Sequence, residues 1–101
     1  MAAEKISHTI RAQLYGELAK FAKAGFGLDK AFAAIADQRG GHSRIRRIAR
    51  SAALHLEAGG TIADSLKQAE YGMSALEYSM IEAAESGGVL ETGFRHLADH
   101  F

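Results

Sequence analysis

The chain has 101 residues, the size of a single domain, and it contains no Cys, Pro or Trp. The lack of Cys excludes disulfide bonds, thiolate zinc sites and Cys nucleophiles. Twelve basic residues balance twelve acidic ones, so no net charge attracts the chain to nucleic acid or to an anionic membrane. Its apolar runs are far shorter than the ~20 residues that span a bilayer, and Met1-Ala2-Ala3-Glu4 lacks the apolar core of a signal peptide. We therefore expect the chain as given to be soluble.

Apolar residues at helical spacing predict three helices in the first half of the chain, over residues 7–24, 28–38 and 44–58. The first helix carries an apolar stripe made of Ile6, Ile10, Leu14, Leu18 and Phe21. Gly25 ends this helix, and a turn at Gly40-Gly41 ends the second. Ser43 is the predicted N-cap of the third helix.

Three further helices are predicted over residues 62–69, 74–86 and 89–101. Thr61 is the expected N-cap of the fourth helix. Ser74 and Glu77 have the spacing of a capping box, which explains why Glu77 falls in the apolar sector of the fifth. No segment alternates with period two. The sequence therefore predicts an all-α fold, a six-helix bundle of three antiparallel hairpins, as one domain over residues 1–101 with residues 1–6 as a loose lead.

One pattern occurs three times: a Gly, an apolar residue three positions on, a small residue six on and an apolar residue seven on. The copies are Gly25, Leu28, Ala31, Phe32; Gly59, Ile62, Ser65, Leu66; and Gly87, Leu90, Gly93, Phe94. Each Gly follows a helical run, where a left-handed C-cap favours a residue without Cβ. The pattern predicts a repeated unit of helix, glycine stop and helix.

These turns resemble conserved segments of the GspF/PilC family. Residues 14–32 resemble its opening, residues 60–66 its Gly-x-[Ser/Thr]-Leu stretch, and residues 81–90 its Ala-Gly-Glu-x-Ser-Gly-x-Leu signature, with Leu97-Ala98-Asp99 similar to its closing Leu-Ala-Asp/Glu. The chain departs from the family in having Ala84 before Glu85, a single residue between Glu85 and Gly87, and Gly27 where Pro is common. The signature positions are Gly25, Leu28, Gly59, Ile62, Leu66, Glu85, Gly87 and Leu90.

GspF/PilC proteins are inner-membrane platform proteins of type II secretion and type IV pilus machines. The resemblance implies one domain on the cytoplasmic face of the inner membrane, cut from a longer protein with two such domains and three transmembrane helices. It implies a non-catalytic scaffold that binds the assembly ATPase and other inner-membrane components, without cofactor, nucleic acid or small-molecule substrate. The alternative is a free-standing helical adaptor unrelated to secretion. An enzyme is disfavoured because no nucleophile, acid/base pair or cofactor loop is readable.

Two groups of side chains could bind a metal ion. Glu82, Glu85 and Glu91 could gather a hard cation such as calcium, although such a cluster is more often a solvated face. Glu85 could instead accept from backbone N–H groups at the start of the sixth helix, which is the interpretation we favour. His96 and His100 have helical metal-site spacing but fall off the apolar stripe, which favours solvated side chains.

Leu54 and Tyr78 lie off the apolar stripes of their helices. Each is either a second core contact or part of an interface, and an interface makes a homodimer possible. A third feature is the positive charge around the third helix, which comes from Arg39, Arg44, Arg46, Arg47 and Arg50. A nucleic-acid site would need net basicity and aromatic platforms, so this region is a solvated face or a docking face for an acidic partner.

Overall fold

The computed structural model of the protein describes residues 5–101, and this part of the chain contains six α-helices and no strand. The helices are α1 (His8–Lys23), α2 (Leu28–Ala36), α3 (Ser43–Glu57), α4 (Ile62–Lys67), α5 (Ala75–Gly87) and α6 (Leu90–His100). All six begin within one residue and end within two residues of the sequence-based bounds, and α4 is the shortest. The predicted all-α fold is therefore confirmed.

The helices pack most closely in the pairs α1 with α6 and α2 with α3. Weaker contacts join α3 to α4, α4 to α5, α5 to α6 and α1 to α2. Each predicted hairpin therefore has its two helices in contact, which is compatible with three hairpins. The closest pairings, however, join helices from different hairpins, so the packing between hairpins dominates.

The core receives side chains from every helix. Its large buried members include Leu14, Leu18, Phe32, Ile35, Ile48, Leu66, Ile81, Phe94 and Leu97. Ala31, Ala49, Ala52 and Ala63 are also fully buried. These small side chains let neighbouring helices approach closely at the cost of less apolar burial per residue. The apolar stripes predicted from the sequence pack in the core for the most part, but the prediction of Leu76 as an inward residue of the fifth helix is wrong, because Leu76 is 50% exposed.

Side chains cap the starts of α1, α4 and α5. The hydroxyl groups of Ser7, Thr61 and Ser74 each accept from the backbone N–H three residues on, and the predicted capping box of Ser74 and Glu77 is present. The predicted cap of α3 is wrong. His42 is its N-cap, because its Nδ1 accepts from the Arg44 N–H at 3.1 Å, and Ser43 is the first helical residue.

The three signature turns share one hydrogen-bond pattern. Gly25, Gly59 and Gly88 are left-handed, with φ of 84°, 101° and 70°. In each turn, the N–H after the Gly donates to the carbonyl five residues back, and the Gly N–H donates to the carbonyl three residues back. This is the Schellman motif, which satisfies carbonyls that the ending helix leaves without a partner.

The prediction of Gly87 as the left-handed residue is wrong, because Gly87 is the last residue of α5 and Gly88 is left-handed. Helices α2 and α4 begin three residues after their Gly, whereas α6 begins two residues after Gly88. The third turn is therefore one residue shorter than the other two. Val89 occupies its N-cap position without a side-chain cap.

Ile6 does not belong to a loose lead. Its side chain is buried, and its N–H donates to the Tyr71 carbonyl at 3.2 Å. Residues 1–4 of the predicted lead lie outside the described residues. Across residues 5–101, none of the helices combines the length and the apolar character needed to cross a membrane.

Candidate functional site

The signature turns meet at one end of the bundle, which we call the signature end and define by Gly25, Leu28, Ile62, Gly88 and Leu90. These residues line one open groove of about 540 Å³. Three separate stretches of sequence therefore form one surface. Each copy of the repeated pattern ends one helix and begins the next, and the three copies do so at the same end of the bundle.

Two large apolar side chains remain half exposed at this groove, Phe26 at 50% and Val89 at 52%. Each follows the left-handed Gly of its turn, the position where a Schellman motif usually places an apolar residue. The Phe26 ring packs edge-on against Phe21 at a centroid distance of 5.7 Å. The signature end therefore presents apolar surface whose backbone is fixed by the turns beneath it.

Glu85 connects α5 to the start of α4. Its Oε2 accepts from the Ile62 N–H at 2.8 Å, and its Oε1 accepts from the Ala63 N–H at 3.3 Å. The first N–H groups of a helix have no helical acceptor and carry partial positive charge, so a carboxylate is favoured there. The sequence predicted that Glu85 accepts from N–H groups at the start of a helix, and it does so. The helix is α4, however, and not α6.

The structure does not bring the metal candidates Glu82, Glu85 and Glu91 together. Glu85 binds the start of α4, Glu91 pairs with Arg95 one turn along α6, and Glu82 is exposed. Within residues 5–101, no group of three or more His, Cys, Asp or Glu side chains is placed to bind a metal ion. His96 is exposed and the His100 ring lies against Phe101.

The two interface candidates differ in their surroundings. Leu54 is 64% exposed on α3. Tyr78 is half-buried against the core, and its hydroxyl donates to Asp64 Oδ1 at 2.7 Å while Lys67 lies over its ring. The hydrogen bond to Asp64 is the main reason that the pKa of Tyr78 is raised to about 12. Tyr78 thus links α5 to α4, and Leu54 is the more available side chain.

A buried polar network was not predicted from the sequence. It consists of Arg11, Tyr15, Tyr71 and Glu77, all nearly or fully buried. Arg11 Nη1 donates to both oxygens of Glu77 at 3.0 and 3.2 Å and to the Gly72 carbonyl at 3.1 Å. Its Nη2 donates to the Ile6 carbonyl at 2.9 Å. The network therefore joins α1 to the first turn of α5 and to the segment before it.

The two tyrosines complete the network. The Tyr15 hydroxyl donates to Glu77 Oε1 at 2.6 Å and lies 2.8 Å from the Tyr71 hydroxyl. Because the Tyr15 hydroxyl donates its single proton to Glu77, the Tyr71 hydroxyl is the donor in the hydrogen bond between the two tyrosines. Burial raises the pKa of both tyrosines. Burial would also raise the pKa of Glu77, but hydrogen bonds from Tyr15, the Ser74 N–H and Arg11 outweigh it, and the pKa lies below its usual range.

A signal for this network exists in the sequence. Arg11 lies seven residues before Leu18 and so on nearly the same side of α1, next to the apolar stripe. Glu77 lies in the apolar sector of α5. Two opposite charges at core-facing positions of two helices indicate a buried ion pair, because a buried charge needs a partner. The capping box accounts for Glu77 alone and gives no indication of Arg11.

Six helices, with a Schellman turn inside each of three consecutive helix pairs, place the chain in the class of small all-α domains. Within that class, residues 14–101 match the family described as Type II secretion system (T2SS), protein F. The chain therefore belongs to this family, as the resemblance to GspF/PilC proteins predicted. A comparison with individual curated proteins gives no match.

The family supports a role in type II secretion or pilus machinery. Its members are platform proteins associated with the inner membrane, are generally non-catalytic, and interact with other components of the machine. This favours a platform domain over an adaptor unrelated to secretion. Arg11 precedes the matched residues, so the buried network ties the start of α1 to the part of the chain that the family defines.

Proposed function

We propose that the chain is a cytoplasmic domain of an inner-membrane platform protein and acts as a non-catalytic scaffold. In this role it binds the assembly ATPase and other inner-membrane components of a type II secretion or type IV pilus machine. The observation that carries the proposal is the family match over residues 14–101. We further propose that residues 1–101 form one domain that needs no cofactor, nucleic acid or small-molecule substrate.

The roles of the polar side chains support a scaffold. Glu85 binds the start of α4, and Glu77 binds Arg11 and Tyr15. Glu85 is the carboxylate whose sequence context most invited a chemical role and Glu77 is the buried one, and each is engaged with another part of the domain. The surface instead offers large apolar groups, of which Leu54 is the most exposed. Exposed apolar anchors of this kind suit the binding of a protein partner.

Binding to the ATPase tests the proposal directly. The chain is immobilised and titrated with the purified assembly ATPase encoded with the same machine, and we expect saturable binding. Leu54→Glu should weaken it, because a charge replaces an exposed apolar anchor. Leu76→Glu is the matched control, since Leu76 is also an exposed Leu but lies at the start of α5. Absence of binding by the parent chain would refute the ATPase as a partner.

A homodimer through Leu54 and Tyr78 is the second element of the proposal. Sedimentation at high concentration should show self-association of the parent chain that Leu54→Glu and Tyr78→Glu each reduce. Tyr78→Phe retains the ring but removes the bond to Asp64, so it separates the apolar contribution from the link to α4. A strict monomer would refute the homodimer. Loss of helical signal in Tyr78→Glu would assign Tyr78 to the core.

A further inference from the structure

The chain is neutral overall, but its charge is unevenly distributed. From Gln38 to Leu56 it contains five Arg and no acidic residue. Within the described part of the chain, Arg39, Arg46, Arg47 and Arg50 form no ion pair. The positive charge of these four side chains is therefore not neutralised by neighbouring carboxylates of the same domain.

Part of this charge lies on one side of α3, which we call the α3 outer face and define by Arg47, Arg50 and Leu54. The three residues are spaced by three and four positions, so they follow one another along the same side of the helix over about 10 Å. All three are exposed. The opposite side of α3 is buried in the core through Ile45, Ile48, Ala49 and Ala52.

The arginines of this face are anchored to neighbouring helix ends. Arg47 Nη1 donates to the Ala69 carbonyl just beyond α4, and Arg50 Nη2 donates to the Ala36 carbonyl at the end of α2, each at 3.4 Å. Carbonyls at a helix end carry only partial negative charge. A guanidinium has five N–H donors, and one long bond leaves most of them free for another acceptor. Both side chains are therefore partly oriented without being neutralised.

We propose that the α3 outer face binds an acidic helical segment of a partner protein, with carboxylates against Arg47 and Arg50 and an apolar residue against Leu54. The proposal rests on the proposed function, since it names the chemistry of a partner surface for the same scaffold. Charge complementarity carries it, because an uncompensated cationic stripe suits an anionic one. The stretch from Gln38 to Leu56 contains five Arg and no Lys, and the guanidinium fork binds a carboxylate through two parallel hydrogen bonds.

An anionic membrane surface fits this face less well. A helix that lies in the membrane interface inserts several large apolar residues from one side. The apolar side of α3 is buried inside the domain, and Leu54 is the large apolar residue that its outer face offers. The bonds to Ala69 and Ala36 also direct the two guanidinium groups toward the ends of α4 and α2. The two groups can therefore bind a segment that lies along α3 from both of its sides.

The test is a titration of the isotope-labelled chain with a synthetic peptide of about 15 residues, long enough to form helical turns. The peptide carries two Glu three positions apart and a Leu four positions further on, and a control peptide has Lys in place of both Glu. We expect amide shifts concentrated in residues 43–57 with the Glu peptide and none with the Lys peptide. Shifts elsewhere, or equal shifts with both peptides, would overturn the proposal.

Variants of the chain assign the effect to the arginines. Arg47→Glu with Arg50→Glu should weaken the affinity for the Glu peptide by at least about tenfold. Lys20→Glu with Lys23→Glu makes the same change of net charge at exposed positions of α1, and it should change the affinity by less than about twofold. An equal loss in both double variants would refute a specific site. If the first variant unfolds, the double variant Arg47→Lys with Arg50→Lys tests the proposal instead. An unchanged affinity for the Glu peptide would contradict recognition of carboxylates by the guanidinium groups.

Two further measurements compare the peptide with a membrane surface and with the ATPase. Vesicles of phosphatidylglycerol and phosphatidylethanolamine should not bind the chain through Arg47 and Arg50, and membrane binding that depends on them without peptide binding would overturn the proposal. ATPase binding that survives the Arg47→Glu, Arg50→Glu change would refute the α3 outer face as its docking surface and leave the proposed function intact. If the parent chain fails to bind the ATPase, the proposed function fails, and the peptide titration still decides whether an acidic segment binds.

Discussion

The two ends of the bundle are stabilised by different means. The signature end is built mainly from three Schellman turns, whose hydrogen bonds join backbone groups three or five residues apart. Glu85 adds two side-chain hydrogen bonds there, to the Ile62 and Ala63 N–H groups at the start of α4. The opposite end, which we call the network end, is built from Arg11, Tyr15, Tyr71 and Glu77, whose side-chain hydrogen bonds link residues up to 66 positions apart. Helices α1 and α5 start at the network end and finish at the signature end, and α6 runs from Leu90 to His100 in the opposite direction.

The difference between the ends indicates where the fold is sensitive to mutation. A backbone turn depends on the local conformation of one Gly, so a substitution there strains one turn. The network contains a buried charged pair, and removal of one partner leaves the other charge uncompensated. Changes at the network end should therefore destabilise the domain more than changes at the signature end. The following substitutions test this ranking.

The largest effect is expected for Arg11→Met, which leaves the Glu77 carboxylate buried at 1% exposure without its cation. Such a loss costs about 3–5 kcal/mol of unfolding free energy. Arg95→Met is the control, because it breaks the exposed pair with Glu91, which is worth about 0.3–0.5 kcal/mol. Urea denaturation of both variants measures the difference. Similar losses would show that the network is no more important than a surface pair.

Glu85→Ala should have the second largest effect. It removes the acceptor of the Ile62 and Ala63 N–H groups, and a hydrogen bond to a charged group contributes about 1.5–3 kcal/mol. Glu85→Gln retains one acceptor oxygen and should cost less. Glu82→Ala is the control on an exposed position of the same helix. Equal midpoints for Glu85→Ala and Glu82→Ala in denaturant would contradict the role of Glu85 at the start of α4.

Gly93→Ala tests the close contact between α5 and α6. A Cβ on Gly93 would lie 2.5 Å from the Ala84 Cβ, and overpacking of this kind costs about 1–3 kcal/mol. A higher helix propensity offsets up to about 1 kcal/mol of that cost. Gly16→Ala is the matched control, since a Cβ there has open space around it in α1, and it should raise the thermal midpoint. A higher midpoint for Gly93→Ala would mean that the two helices can separate without penalty.

The smallest effect distinguishes two adjacent glycines. Gly88→Ala should lower the unfolding free energy by about 1 kcal/mol, because Gly88 has a φ of 70°. Gly87→Ala should leave it unchanged or raise it by up to about 1 kcal/mol, because Gly87 is helical and the nearest atom to its Cβ would be at 3.6 Å. Thermal melts of the two single variants give the sign of each change. The reverse order would place the left-handed residue at Gly87.

Most of the signature end could be predicted from the sequence. The left-handed conformations of Gly25 and Gly59 and the cap at Thr61 depend on residues close in the chain, so their patterns are local. The same holds for the capping box at Ser74, which lies at the network end. The sequence pattern places the third turn one residue early because Gly87 and Gly88 are adjacent, and either can end a helix. His42 as the cap of α3 escapes prediction for a similar reason, since Ser43 has the stronger capping preference.

The partners of the polar side chains could not be derived in the same way. Helical spacing singles out Glu77 and the family resemblance singles out Glu85, but neither says which distant backbone or side-chain group binds them. Glu85 binds α4 rather than the adjacent α6, because the packing of α4 on α5 brings the Ile62 and Ala63 N–H groups within reach. Arg11 meets Glu77 because both lie at the same end of the bundle.

Sequence by itself determined the helices, their stops and the apolar sides that pack, because each of these follows from interactions within about one or two turns of the chain. The tertiary structure decided which helices are closest neighbours and which carboxylate binds which helix start. It also decided how the four buried polar side chains are hydrogen-bonded to one another. It also decided that the three signature turns form one surface. These outcomes depend on the simultaneous packing of all six helices, since a buried polar group must find its partner wherever the fold brings one near.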